Sequence, residues 1–175
     1  MNGKHEVAVS PVVGVMLMLV VVIIIAAVVS AFAGGVVGSQ KKVPQATFSG
    51  KFSLSDGFRI NHDGGDSLAT ADTVFVVRNG PLFGPNLEQK SAQVLNISLI
   101  TNSQGQVLNT TTAIIAGDSL FITPANTACN LLQPGIASSP DLCFSNTTNI
   151  GKTFILDVSD TKGDLISRSD VTIAP

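Results

Sequence analysis

Residues 10–38, SPVVGVMLMLVVVIIIAAVVSAFAGGVVG, decide how this chain is built. From Pro11 to Ala33 no residue is charged, and Ser30 carries the only polar side chain. A helix rises about 1.5 Å per residue, so some 22 apolar residues span roughly 33 Å, the thickness of a bilayer's hydrocarbon core. The stretch is apolar all round, so as a helix it needs lipid or other apolar helices on every side. Exposing a dozen large aliphatic side chains to water would cost tens of kcal/mol, at about 1.5 to 3 kcal/mol each. Two environments satisfy it: a bilayer, or the core of a bundle of identical helices. Gly14, Ala26, Ala27, Ser30 and Ala33 would allow close helix–helix approach, and they are equally ordinary in any membrane helix.

Working outward, the short polar start MNGKHEV (residues 1–7) is expected to be a leader, followed by a helix over 8–38, a hinge over 39–45 and a β-rich head over 46–175. Pro11 suits the first turn of a helix, with Ser10 as its N-cap. Gly34, Gly35 and Gly38 weaken the far end and Pro44 stops it. The apolar run is too long for a secretory signal core, although Ala31-Phe32-Ala33 resembles a cleavage site; cutting there would release a soluble head.

The chain has 175 residues, a net charge of -2 and only 10 Lys plus Arg, without a basic block. That balance argues against nucleic acid as a partner. Cys129 and Cys143 enclose a loop containing Pro134, Gly135 and Pro140, and suit a disulfide in an oxidising compartment; two unrelated buried thiols are the alternative. Neither His5 nor His62 lies near them, which disfavours a metal site. Asn96, Asn109 and Asn146 each begin an Asn-X-Ser/Thr sequon. Lys4 and the Lys41-Lys42 pair give opposing orientation signals under the positive-inside rule. Cysteines and sequons decide for an internal N-terminus and an external head.

From Ala46 the apolar pattern changes to period two. ATFSGKFSL (46–54), FRINH (58–62), TVFVVR (73–78), VLNISLIT (94–101), KTFILDVS (152–159) and DLISRSDVTI (164–173) are predicted strands. Thr111–Ile115 and Ser119–Thr123 are expected to form a hairpin, residues 82–92 a loop, and Asp63-Gly64-Gly65-Asp66 a tight turn. Seven or eight short strands with no second helical pattern predict an α+β chain: a long apolar helix and an antiparallel, immunoglobulin-like or pilin-type β-sandwich.

Catalytic chemistry is sparse. His62, Asp63 and Asp66, with Asp56 nearby, are the nearest approach to a cluster. Their carboxylates would suit a hard cation, but local turn hydrogen bonds account for them more simply. No nucleophile–base set, phosphate loop or CxxC is present. The sequence predicts no enzyme, no cofactor and no bound metal. The absence of Trp and Tyr argues against an aromatic carbohydrate platform.

AVSPVVGVMLMLVVVIIIAAVVSAF (residues 8–32) resembles the N-terminal segment of archaeal type IV pilins, in which a polar leader, a Ser-Pro-Val-Val/Ile-Gly motif and an aliphatic helix follow one another. The segment from Ile60 to Asp66 (INHDGGD) and the C-terminal VSDTKGDLISRSDVTI are similar to theirs as well. The resemblance implies processing by a membrane-embedded prepilin peptidase among Val7, Ala8, Val9, Ser10 and Pro11, with Val7–Ala8 or Ala8–Val9 as the scissile bond. It further implies membrane residence before assembly, and helix-driven homopolymerisation by a pilus assembly machinery into an adhesive surface filament. The chain lacks a Gly before the cut and a Glu near the fifth mature position, features of bacterial pilins. A tethered single-pass surface protein that never polymerises is the alternative, and an extracellular enzyme or binding domain a more distant one.

Overall fold

The computed structural model describes residues 11–36, 42–127 and 142–175. Two units emerge, Met1–Lys42 and Val43–Pro175. The first contains α1, Pro11–Val36. Its core run of valines and isoleucines, stiff at χ1, has modest helix propensity in water. In hydrocarbon, by contrast, a helix satisfies every backbone group within the segment.

The second unit contains β1 (Ala46–Ser53), β2 (Gly57–Gly65), β3 (Leu68–Ala69), β4 (Thr73–Asn79), a single helical turn α2 (Leu87–Lys90), β5 (Gln93–Val94), β6 (Thr101–Asn102), β7 (Ala113–Ile114), β8 (Ser119–Ile122), β9 (Thr153–Asp160) and β10 (Leu165–Ala174). Among the described residues, eight strands form one sheet in the order β5-β4-β9-β10-β1-β2-β8-β6, and β3 pairs with β7. In a flat sheet, strands three places apart are about 14 Å from each other. Here Phe48 of β1 meets Phe75 of β4 with ring centroids 6.1 Å apart, and Phe58 of β2 meets Phe154 of β9 at 5.4 Å. The large sheet therefore folds over, and its halves β5-β4-β9-β10 and β1-β2-β8-β6 face each other across one core, in the manner of a sandwich.

That core is built on phenylalanine. Phe154 stacks on Phe144 at 4.0 Å and touches Phe52 and Phe58 edge-on. Such pairs each add about 0.5 to 1.5 kcal/mol beyond area burial. Alternate residues of β4, Thr73, Phe75, Val77 and Asn79, are buried, as period two requires.

Several expectations need correction. The sheet is mixed, because β1 and β10 run parallel, joined through Phe52–Ile173 and Ser53–Ala174. Residues 94–101 do not form one strand. Asn96 accepts a hydrogen bond from Ser98 N at 2.9 Å, and this local bond coils Ile97–Leu99 into a 3-10 turn between β5 and β6. The expected hairpin of Thr111–Ile115 with Ser119–Thr123 does not form. Gly117 N donates to His62 O at 2.8 Å and His62 N to Asp118 O at 2.9 Å, so the loop docks on β2, while β7 pairs with β3 and β8 with β2 and β6. Residues 82–92 include α2.

Candidate functional site

The helix α1 presents a continuous apolar surface. Residues Pro11–Ala33 are long and apolar enough to cross a membrane, with a mean hydropathy of 3.4, and their side chains are exposed. Val12, Leu17, Met18, Ile23 and Phe32 are all more than half exposed. Fourteen Val, Ile, Leu and Phe residues lie in the span, and at roughly 0.3 to 0.6 kcal/mol each they favour insertion by about 4 to 8 kcal/mol. Ala26, Ser30 and Ala33 recur at helical spacing, and no atom lies within 4 Å of where a Cβ on Gly14 would stand. Of the predicted processing residues, Pro11 opens α1; Val7, Ala8, Val9 and Ser10 lie outside the described residues.

In the second unit, the HDGGD segment fastens the beginning of the head. Instead of forming a tight turn, His62, Asp63, Gly64 and Gly65 complete β2, with Gly64 and Gly65 opposite Thr47 and Ala46 across a β-bulge. Asp66 N donates to Gln45 O at 2.7 Å, and Gln45 N donates to Asp66 Oδ2 at 3.0 Å. This reciprocal pair clasps the residue just before β1. Gly65 has φ +105, and a Cβ there would stand 2.2 Å from Gln45 O, so only glycine fits.

The segment's side chains part company. His62 is buried and stacks on Phe48 with centroids 4.5 Å apart, whereas Asp63 and Asp66 are exposed. Neither ring nitrogen of His62 has a hydrogen-bond partner. Among the described residues no three His, Cys, Asp or Glu side chains converge as a metal site would require. The local turn bonding expected of these aspartates is replaced at Asp66 by the long-range clasp on Gln45, twenty-one residues earlier, and the stacked imidazole acts as part of the core.

Each sequon asparagine stands on a 3-10 turn: Asn96 caps Ile97–Leu99, Asn109 lies within Leu108–Thr110, and Asn146 caps Thr147–Asn149. Asn96 and Asn109 are exposed and Asn146 is half-buried. Cys143 is buried and is not a free thiol. Cys129 lies outside the described residues. The buried Asn149 and Asn79 hold the segment beside Cys143, donating from Nδ2 to Cys143 O and, at 3.0 Å, to Leu142 O.

A charged group not foreseen from the sequence lies across β4, β9 and β10. The buried Asp157 accepts from Arg168 Nε at 2.6 Å and Arg168 Nη2 at 2.9 Å, and pairs with Arg78 Nη2 at 2.7 Å. Burial pushes the Asp157 carboxyl up, but the Arg168 hydrogen bond and the charges of Arg78 and Arg168 outweigh it and hold the group below the ordinary carboxylate range. The same hydrogen bond raises Arg168. The sequence signal was Asp157 inside the otherwise apolar FILDV run, with arginines in two other predicted strands; only the pairing Arg168–Asp157 and Val76–Asp157 brings them together.

Compared with models of known families, residues 7–48 match that of the archaeal type IV pilin N-terminal segment. No curated protein matches the chain.

Proposed function

We propose that this chain, which carries an archaeal type IV pilin N-terminal segment, is a structural subunit of a pilus-like surface filament. The observation that carries the reading is α1: an exposed, uncharged surface on all sides of a helix long enough to span a bilayer. Before assembly, lipid covers that surface. Afterwards identical helices cover it, with the β head outside. Lipid tails and aliphatic side chains are similarly apolar, so the exchange gives little hydrophobic gain; close packing must favour the filament, and the assembly machinery supplies work.

In this reading the peptidase cuts at Val7–Ala8 or Ala8–Val9, leaving Ser10-Pro11 close to the mature terminus. Cys129 pairs with Cys143 on the oxidising side, and adhesion is a property of the exposed heads. The role is architectural rather than catalytic.

Terminal-peptide mass spectrometry on material sheared from intact cells tests this. The expected mature terminus is Ala8 or Val9 with α1 retained. A terminus at Met1 or Asn2, confined to the membrane fraction, favours the tethered, non-polymerising protein. A terminus after Ala33 sinks both readings and leaves a secreted head.

A further inference from the structure

Two of the three sequons meet in space. The 3-10 turns bearing Asn96 and Asn109 are held together by Leu108 N donating to Ile100 O at 2.8 Å. Asn109 Nδ2 donates to Ser98 Oγ at 3.3 Å. Ser98 is the hydroxyl residue of the Asn96 sequon, so the amide of one acceptor rests on the recognition group of the other. Asn96, Ser98 and Asn109 are all exposed. The two sequons are not equivalent. Thr111, the hydroxyl residue of the Asn109 sequon, is half-buried, donates from Oγ1 to Leu108 O at 2.8 Å, and lies 3.3 Å from Thr70 Oγ1. The Asn96 amide nitrogen has no such engagement.

We propose that Asn96 and Asn109 form one composite acceptor for an N-linked glycan, with Asn96 modified first and Asn109 modified only on chains where Asn96 is bare. The proposal rests on the reading above that the head lies outside the cell. The chemistry is transfer from a polyisoprenyl-phosphate-linked sugar. The asparagine Nδ2 forms a bond to sugar C1, the bond from C1 to the phosphate oxygen breaks, the phosphate leaves with the electron pair, and an amide proton passes to a base of the transferase. Asn96 is favoured because it is exposed, and the exposed Ser98 hydroxyl accepts from Asn109 Nδ2 without donating its own proton, unlike Thr111. Once a sugar stands on Asn96, two residues from Ser98, it covers the approach to the Asn109 amide. A sugar placed first on Asn109 would in turn cover Ser98 Oγ and hide the Asn96 sequon.

The test is glycopeptide and intact-chain mass spectrometry on protein from native cells, comparing the natural chain with Asn96→Gln, Asn109→Gln and Ser98→Ala. Circular dichroism confirms folding, and protease accessibility on intact cells reports independently whether the head is external. The natural chain is expected to carry glycan at Asn96 and little at Asn109. Asn96→Gln and Ser98→Ala should each raise Asn109 occupancy severalfold, whereas Asn109→Gln should leave Asn96 occupancy unchanged. With the head accessible, three results overturn the coupled acceptor: chains bearing both glycans as often as independent occupancies would give, unchanged Asn109 occupancy in Asn96→Gln, or a bare pair. A head that protease cannot reach overturns the surface reading itself.

Discussion

Replacing Asp157 by Asn keeps the shape of the side chain and deletes one buried charge. The carboxylate is almost fully buried and serves both Arg168 and Arg78. Removing one partner of a buried ion pair costs about 3 to 5 kcal/mol, because the remaining charge is left uncompensated. The Arg168 side chain is 52% exposed and can rehydrate, while that of Arg78 is 29% exposed and already has an unpartnered Nε. The lower end of the range, about 3 kcal/mol, is therefore expected. For a domain of this size that corresponds to a fall in melting temperature of roughly 12 °C. The assay is thermal unfolding of the full chain in detergent, followed by far-ultraviolet circular dichroism; the β signal reports the head. Acid response supplies a second readout. The folded-state pKa of Asp157 lies below its unfolded value near 4. Its contribution is thus complete above about pH 4 and is lost as pH falls through the folded value. The Asn variant should be less stable at neutral pH and should lose less on acidification below about pH 4 than the natural chain does. A melting temperature within about 2 °C of the natural chain, well inside what 1 kcal/mol would shift, would refute the claim that the triad joins β4, β9 and β10.

Phe154→Ala removes the ring that meets Phe52, Phe58 and Phe144; a loss of about 3 to 5 kcal/mol is expected in chemical denaturation. Gly65→Ala puts a Cβ against Gln45 O in a left-handed backbone. It should cost about 1 to 3 kcal/mol and speed amide exchange at Gln45 and Asp66 before the rest of the sheet. Ile23→Lys places a charge in the middle of α1, costs about 2.5 to 3.5 kcal/mol of insertion free energy, and should lower the carbonate-resistant membrane fraction and abolish sheared filaments.

Legibility followed the range of the interactions. Period-two burial was readable in Thr73–Asn79 because a strand alternates its faces independently of its partners, whereas in Thr153–Asp160 the arginines over Asp157 bury three successive residues, Leu156 to Val158. The pattern failed at 94–101, where the Asn96 side chain captures the backbone. It failed again at 111–123, where Asp118 O accepts from His62 N and Asp118 Oδ2 from Ile115 N. At the HDGGD segment the glycines signalled positive φ, present at both Gly64 and Gly65. The purpose of Gly65, admitting the Gln45 carbonyl, depends on a residue some twenty positions earlier.

By itself, the sequence determined the division into an apolar helix and a β-rich head. An unbroken uncharged run over Pro11–Ala33 and a later two-residue period are properties of neighbouring residues, and solvent alone tells them apart. Tertiary structure alone decided that β1 and β10 pair in parallel, that Asp157 lies between two arginines, and that the Asn109 amide rests on Ser98. Each of these depends on which strands and turns become neighbours when the sheet folds over its phenylalanine core, and no local period encodes that choice.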